Sequence, residues 1–233
     1  MAKHGKKYRA IKEKMPKEAV PLDQAIQFLK DNPVASFDET VEIGLRMGVD
    51  PRKSDHAIRG TVALPHGTGR TIRVVVFAMG PAAEAATEAG ADHVGFEDLI
   101  EKVRGGWTDF DVAIATPEAM KEVRKLGRVL GPRGLMPNPK TGTVTDDTAE
   151  AVKSSKAGRV EFRLDRTGNI NVPCGRLSFD KNSLVENASS ILAAVRHERP
   201  ASARGQYIKK CTVASSVGVG VRVDVRDRVE ARE

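Results

Sequence analysis

The stretch from Gly127 to Thr143, GRVLGPRGLMPNPKTGT, combines residue types that suit contact with an anion. It holds four glycines and three prolines, and its charged residues, Arg128, Arg133 and Lys140, are all basic. Backbone amides next to glycine can approach a phosphate closely, because no Cβ stands in the way. The prolines and glycines predict a shaped loop through which neither a helix nor a long strand runs. A rigid connection between two packed elements explains the same composition.

The chain lacks the sequence patterns of common catalytic and nucleotide-binding sites. It contains no GxGxxG, GxxxxGK[ST] or GxSxG pattern, and its five histidines form no HExxH pair. Cys174 and Cys211 have no CxxC spacing and no neighbouring histidine, which favours buried thiols over a disulfide or a zinc site. We therefore expect no enzyme activity, no cofactor and no metal. A nucleotide-dependent enzyme is the alternative, and saturable binding of a nucleotide would reveal it.

Two further features bear on location and partners. No apolar run approaches the roughly 18 residues that cross a bilayer, and the N-terminus lacks the apolar region of a secretory signal. We therefore expect a cytoplasmic protein without membrane contact. Residues 3–14 hold six basic residues against one acid, Glu13. Such a run is either a solvated tail or an arm that follows a phosphate backbone.

The positive charge of the chain is concentrated in its two outer segments. Residues 1–66 contain 12 basic and 9 acidic residues, a net charge of +3, and residues 158–233 contain 14 and 9, a net charge of +5. Residues 67–157 contain 12 and 13, a net charge of −1. An anionic partner should therefore bind mainly to a surface that the outer segments build together.

The outer segments show the hydrophobic patterns of an antiparallel sheet with helices. Apolar residues alternate with polar ones or glycine from Val41 to Met47 and from Val160 to Leu164, as in strands with one buried face. Helical spacing follows Pro21, and it also runs from Asp180, a suitable N-cap, to His197. Further strands are predicted at 58–64, 170–173, 206–213 and 217–225, with a turn at 214–216.

In the middle third, apolar strands alternate with helices. IRVVVFA (72–78) and DVAIAT (111–116) are nearly continuous apolar runs, and helix-forming stretches follow them, which predicts a small parallel sheet with helices on both faces. The predicted fold is an α+β discontinuous two-layer domain, an antiparallel sheet with helices, interrupted by an inserted α/β three-layer Rossmann-like domain. The first comprises residues 1–66 plus 159–233 and the second residues 67–158. Glycines 67, 69 and 158 at the crossings make a two-stranded hinge reasonable.

Several motifs, in the same order, resemble those of the L-one family of large-subunit ribosomal proteins. Together they cover nearly the whole chain, and several are long, so chance does not explain the likeness. They are FDETVE (37–42), GVDPRKSD (48–55), RGTV (59–62), LPHGTG (64–69), GAD (90–92), the glycine-rich stretch 127–143, GRVEFR (158–163) and TG (167–168).

The resemblance implies a set of partners. Members of this family bind large-subunit ribosomal RNA at the mobile stalk, assist release of deacylated transfer RNA from the exit site, and repress their own operon by binding its messenger RNA. It implies a cytoplasmic protein on the large ribosomal subunit that is monomeric when free. Arg128, Arg133 and Lys140 would either touch RNA or transfer RNA or hold their loop against the other domain. A general nucleic-acid-binding module is the alternative, and it would not distinguish stalk RNA from an unrelated duplex.

The resemblance also implies an RNA site on the discontinuous domain. Arg46 would contact phosphate, and the hydroxyls of Thr40, Thr167 and Ser216 would reach 2′-OH groups. Glu42 would either orient Arg46 or accept a hydrogen bond from a 2′-OH. The positions carried over are Phe37, Thr40, Glu42, Arg46, Asp165, Thr167, Ser215, Ser216, Val217, Gly218 and Gly220.

Two departures from the family pattern bear on RNA affinity. Ser36 stands where the family usually has a basic residue before Phe37, and residues 216–219 read SVGV where the family usually has Thr-Met-Gly-Pro. Gly218 is retained, so close approach of the backbone to RNA survives, but the methionine contact is absent. Phe37 itself either fills a shallow apolar contact with the RNA or belongs to the core. We expect the same RNA target with altered affinity.

Overall fold

A computed structural model describes residues 5–225, apart from the side chains of Ser54 and Lys140. Contacts within this part of the chain divide it into two compact units. Unit 1 consists of the described residues of Met1–Gly69 and Val160–Glu233, and unit 2 consists of Arg70–Arg159. Buried apolar residues form one cluster in unit 1 and two clusters in unit 2, so each unit has a core of its own.

Unit 1 is built on a four-stranded antiparallel sheet. Its strands are β1 (Thr40–Met47), β7 (Asn169–Arg176), β8 (Ile208–Ser215) and β9 (Val221–Val223), in the spatial order β7-β1-β8-β9. Ile43 of β1 lies opposite Val172 on one side and Val213 on the other, so the strand predicted from its alternation is a central one. The sheet therefore combines strands from both outer segments of the chain.

Two helices cover one face of this sheet. They are α2 (Leu22–Asp31), which follows Pro21, and α8 (Lys181–His197), and both confirm the helices predicted from apolar spacing. Their apolar residues, among them Ile26 and Ile191, are buried against the strands. Asp180 occupies the N-cap position of α8, but its side chain makes no capping hydrogen bond. The core of unit 1 thus lies between one sheet and one layer of helices.

Smaller elements complete unit 1. The basic N-terminal segment forms α1 (Lys6–Lys14), a helix with no buried residue, and its role as a solvated tail or as an arm along a phosphate backbone stays a prediction. β2 (Arg59–Ala63) and β6 (Arg159–Arg163) form a separate two-stranded sheet. A 3-10 turn spans Ser54–His56. Of the helices that the structure describes, none has the length and apolar character needed to span a membrane.

Unit 2 contains a three-stranded parallel sheet with helices on both faces, as the middle pattern predicted. Val75 and Phe77 of its central strand face a core cluster that includes Leu99 and Val103, and Val74 and Val76 face a second cluster that includes Ala86 and Val152. The order is β4 (His93–Gly95), β3 (Val74–Phe77), β5 (Val112–Ala115), and the helices are α3 (Pro81–Glu88), α4 (Glu97–Arg104) and α7 (Thr148–Lys156).

The glycine-rich stretch begins as a short helix and continues as a loop, so no helix runs through it, as predicted, but its first four residues are not loop. α5 (Met120–Val123) continues through a 3-10 turn, Arg124–Leu126, into α6 (Gly127–Leu130). Leu126 and Leu130 are buried, and this burial compensates for the poor helix propensity of Gly127. Pro132 follows closely and cannot continue the helix. The remainder is a loop with a second 3-10 turn, Pro139–Thr141.

The first crossing between the units is fastened inside unit 1. The side chain of Asn187 accepts a hydrogen bond from the His66 amide (3.1 Å) and donates to the Gly67 carbonyl (3.0 Å). Gly69 has a φ of +68°, and a Cβ at this position would lie 2.8 Å from Cε1 of Phe179. Packing within unit 1 therefore accounts for Gly69, and a hinge at the crossings stays a prediction.

Candidate nucleic-acid interface

The four-stranded sheet has one buried and one exposed face. On β1, Ile43 and Leu45 lie in the core, whereas Glu42 and Arg46 are exposed, because successive side chains of a strand point to opposite faces. The same alternation exposes side chains on the other strands. We call this face the platform; its exposed residues are Glu42, Arg46, Asn171, Lys210 and Arg222.

The strand register arranges the polar residues of the platform in rows. Arg46 lies opposite Asn169 of β7 and opposite Lys210 of β8. In the next row, Asn171 and Thr212 flank the same central strand. Neighbouring strands lie about 4.8 Å apart, so a backbone phosphate or a ribose can reach two adjacent side chains at once. The register therefore builds a continuous polar surface from residues that are distant in sequence.

The platform carries a positive charge. Arg46, Lys210 and Arg222 are basic, and Glu42 is the one acid among its exposed residues. Two of the basic residues come from the C-terminal segment and one from the N-terminal segment. The predicted concentration of positive charge on a surface shared by the outer segments therefore has a structural counterpart on this face.

Asp165 organises the turn that leads into β7. Its carboxylate accepts hydrogen bonds from the amides of Thr167 (2.8 Å) and Asn169 (2.7 Å) and from the Thr167 hydroxyl (2.8 Å). Arg46 donates through Nη1 to the Thr167 carbonyl oxygen and to Oδ1 of Asn169, the latter at 3.2 Å. The turn therefore fixes the position of the Arg46 guanidinium at one end of the platform.

Glu42 does not orient Arg46, contrary to one of the two roles expected for it. The partners of Arg46 are in the turn, and no ion pair among the described residues involves Glu42. Its carboxylate is exposed on the platform. The other role expected for Glu42, to accept a hydrogen bond from a 2′-OH group, is compatible with this exposed position.

We expect the turn to loosen when Asp165 is protonated. The hydrogen bond from the Asn169 amide, helped by those from Thr167, lowers the pKa of Asp165 from its ordinary 3.8, against an opposing effect of desolvation. A carboxylate with a lowered pKa contributes stability above its unfolded-state pKa, and this contribution is lost as the pH falls through the folded-state value. Hydrogen-exchange protection of the Thr167 and Asn169 amides, measured by NMR, should therefore fall below about pH 4. If the Thr167 and Asn169 amides keep their protection at low pH, as the other amides of β7 do, this role of Asp165 is contradicted.

The platform ends at a rim, which consists of two segments. They are residues 34–39, just before β1, and the connection from β8 to β9. This connection is Ser216–Gly220, later than the predicted turn at 214–216, because the pairing of Val41 with Ser215 extends β8. Across the rim, the Thr40 amide donates to Oγ of Ser216 at 3.1 Å. The first residue of β1 is thus in direct contact with the connection.

The rim exposes apolar side chains. Phe37 is 58% exposed and Val217 is 47% exposed, unusually high values for such residues. Phe37 therefore does not belong to the core, and of its two expected roles the apolar contact with a ligand is the one that the structure allows. Val217 offers a second apolar contact where the family pattern has methionine.

A buried carboxylate, that of Glu39, lies beneath the rim. Oε1 accepts from the amides of Val34 (3.0 Å) and Ala35 (2.8 Å), and Oε2 accepts from the amide of Val217 (3.1 Å). Desolvation raises the pKa of Glu39, but these hydrogen bonds and one from the Ser215 hydroxyl outweigh it, so the pKa is lowered overall. Glu39 is therefore an anion held by donors from both segments of the rim.

Two of the expected contact residues are buried. Thr40 is 5% exposed and Ser215 is 6% exposed, so neither hydroxyl is presented to a ligand. Ser215 donates to Glu39, and Oγ1 of Thr40 lies 3.5 Å from Nη1 of Arg176. The expectation that Thr40 offers a hydroxyl to RNA is corrected accordingly: these residues support the rim from below. Ser216 and Val217 are the exposed members of the connection, and Gly220 is half-buried.

Packing within the rim explains why residue 218 is glycine, without any contact with a ligand. A Cβ at Gly218 would overlap Oγ of Ser215, so Ser215 would have to turn away from Glu39. We expect Gly218→Ala to lower the free energy of unfolding by about 0.5–3 kcal/mol and to weaken RNA binding. Denaturant unfolding and RNA titration measure the two effects.

A double variant separates the two explanations for Gly218. Ser215→Ala removes the hydroxyl that a new Cβ would meet, so Gly218→Ala in that background should cost little further stability. If Gly218→Ala weakens RNA binding no further than Ser215→Ala alone does, the constraint is internal. If it weakens RNA binding further in that background, close approach of RNA to the Gly218 backbone is the cause.

The basic residues of the glycine-rich stretch lie in unit 2 and therefore outside the platform. Arg133 donates through Nη1 to the Thr108 hydroxyl, so it fastens the loop within its own unit. Arg128 is exposed on α6, and the side chain of Lys140 lies outside the described part of the chain. Asn138, whose amide donates to Oγ1 of Thr143 at 2.8 Å, closes the loop on itself.

Sequence reasoning missed several residues of this surface. Asn171, Lys210 and Arg222 belong to the platform through strand register, which single-strand periodicity does not reveal. The available signal was the alternation of apolar and polar residues along β7 and β9, which places Asn171 and Arg222 on an exposed face. The role of Glu39 had no such signal, because its partners are set by tertiary structure.

Comparison with known proteins identifies the family. The family model described as "Ribosomal protein L1p/L10e family" matches residues 29–219, which include β1, β7, β8 and the connection through Val219. The chain is 50% identical to "Large ribosomal subunit protein uL1" of Chlamydia trachomatis serovar D over 230 residues, 98% of this chain and 99% of that protein. It is also 50% identical to the protein of the same name from Protochlamydia amoebophila over 228 residues, 97% of each chain. The chain belongs to the ribosomal protein L1p/L10e family.

Proposed function

We propose that the chain is a structural protein of the large ribosomal subunit that binds ribosomal RNA with the platform and its rim. The names of its relatives support the ribosomal role, and membership of a ribosomal-protein family agrees with the expectation that the chain is not an enzyme. The observation that carries the RNA site is the exposed polar face of the four-stranded sheet, on which Arg46, Lys210 and Arg222 gather from distant parts of the sequence.

The chemistry of the platform suits a folded RNA. Arginine and lysine bind backbone phosphates, while Asn171, Thr212 and Glu42 can exchange hydrogen bonds with 2′-OH groups in a shallow minor groove. The exposed aromatic residue of this region, Phe37, stands alone, so stacking of several unpaired bases contributes little. The platform therefore favours RNA read through its backbone, its sugars and its shape.

The finer parts of the proposal concern the place and consequences of binding. The protein would bind at the base of the mobile stalk, assist release of deacylated transfer RNA from the exit site and repress its own operon through a similar structure in messenger RNA. It would act on the ribosome in the cytoplasm and be monomeric when free. Units 1 and 2 would be the predicted domains, 1–66 plus 159–233 and 67–158, joined by a two-stranded hinge. The support for these points is the close likeness to the uL1 proteins.

A binding comparison tests the proposed function. The intact protein is titrated with a fragment of stalk ribosomal RNA and with an unrelated RNA duplex of equal length, at one salt concentration. We expect specific binding to be at least about a thousand-fold tighter than binding to the duplex, by analogy with other nucleic-acid-binding proteins. Equal affinities for the stalk fragment and the unrelated duplex would indicate a general nucleic-acid-binding module instead. Saturable binding of a nucleotide, measured by calorimetry, would favour an enzyme.

A further inference from the structure

Glu39 connects two parts of the rim that are far apart in sequence. One carboxylate oxygen receives the amides of Val34 and Ala35, just before Phe37, at 3.0 and 2.8 Å. The other receives the amide of Val217, 178 residues away, at 3.1 Å. The side chain is fully buried. A single carboxylate therefore links the segment that presents Phe37 to the segment that presents Val217.

The environment of Glu39 argues against a role in simple packing. Burying a carboxylate is costly unless donors compensate it, and an apolar residue would fill the same volume at lower cost. No ion pair among the described residues involves Glu39, so its charge is balanced by amides and by the Ser215 hydroxyl. The three amides belong to two loops, and the first loop is also tied to residues 176–178 through Asp38, whose carboxylate accepts from the amide and hydroxyl of Ser178. A carboxylate at position 39 is therefore suited to hold these two loops together.

We propose that Glu39 is a positioning residue for RNA binding, which fixes the Phe37 segment and the Ser216–Gly220 connection as one preformed surface. This inference rests on the proposed function and adds a residue that itself does not touch the RNA. Without the link, the two loops would have to be fixed relative to each other when the RNA binds, and the apparent affinity would fall by the fraction of molecules with the competent arrangement. The bond between Thr40 and Ser216 is a second link across the rim, but it acts at the end of β1 and does not reach Phe37.

Glu39→Gln tests the inference with little change of shape. A glutamine amide keeps one acceptor oxygen, so it can hold the Val34 and Ala35 amides or the Val217 amide, but not both pairs of donors. We expect binding of the stalk RNA fragment to weaken by on the order of ten-fold, while binding to an unrelated duplex stays unchanged. Asp31→Asn, on the exposed end of α2, removes an equal charge outside the rim and should leave both affinities unchanged.

Amide hydrogen exchange separates positioning from general stability. In Glu39→Gln, exchange should accelerate at one or both rim segments, reported by Val34, Ala35 and Val217, while the Ile43 and Val213 amides of the sheet keep their protection. Uniform acceleration throughout unit 1 would overturn the inference in favour of a structural role. If the variant does not fold, the intact protein still decides: unprotected Val34 and Val217 amides would overturn the inference, and slow exchange at both would support it.

The outcomes also distinguish this inference from the proposed function. If the unaltered protein does not prefer stalk RNA, the proposed function fails whatever Glu39 does. If the unaltered protein shows the preference and Glu39→Gln binds the stalk RNA equally well, the proposed function stands and the role of Glu39 is refuted.

Discussion

Arg46→Ala is expected to weaken binding of the stalk ribosomal RNA by about ten- to a hundred-fold, because a charge-assisted hydrogen bond contributes roughly 1.5–3 kcal/mol. The turn at Thr167 and Asn169 holds the guanidinium in place on the platform, so little rotamer freedom is lost when a phosphate binds. Affinity measured over a range of salt concentrations should also show a slope of log K against log salt that is smaller by about one.

A matched arginine provides the control for this prediction. Arg163 is exposed on β6, in the separate two-stranded sheet of unit 1, and therefore lies outside the platform. Arg163→Ala removes the same charge and should change stalk-RNA affinity by less than about three-fold. Equal losses in the two variants would mean that net charge alone governs binding. Full affinity in Arg46→Ala would remove Arg46 from the proposed interface.

Local periodicity predicted the elements on which the platform is built. The alternation from Val41 to Met47 predicted both the strand and its exposed residues, because one face of that strand packs on α2 and α8. In unit 2, continuous apolar runs predicted strands covered on both faces for the same reason. These predictions succeeded where burial follows directly from the position of a residue within its own element.

Features that depend on partners distant in sequence were beyond the reach of periodicity. The start of the glycine-rich stretch is helical because Leu126 and Leu130 are buried, and composition alone does not show that burial. The connection from β8 to β9 lies later than predicted because its position depends on pairing with β1. Thr40 was expected at the surface, yet its position at the end of a central strand buries it. In each case tertiary contacts decided between local alternatives.

The buried amide of Asn187 has the largest expected effect on stability. It accepts from the His66 amide at 3.1 Å and donates to the carbonyls of Gly67 (3.0 Å) and Cys174 (2.8 Å), so it joins α8, β7 and the first crossing. Asn187→Ala leaves these backbone groups without a partner and opens a small cavity. We expect the free energy of unfolding of unit 1 to fall by about 3 kcal/mol or more, measured by denaturant titration followed by circular dichroism.

Asn182 and Trp107 provide the control and a second probe. Asn182 is exposed on the same helix, so Asn182→Ala should change stability by less than about 0.5 kcal/mol. Trp107 is the single tryptophan of the chain and belongs to unit 2, so its fluorescence follows the unfolding of that unit. If the two units are domains that unfold independently, Asn187→Ala moves the transition of unit 1 and leaves the fluorescence transition unchanged. A fluorescence transition that shifts equally would show that the units unfold as one cooperative body, and an unshifted unit 1 would refute the anchoring role of Asn187.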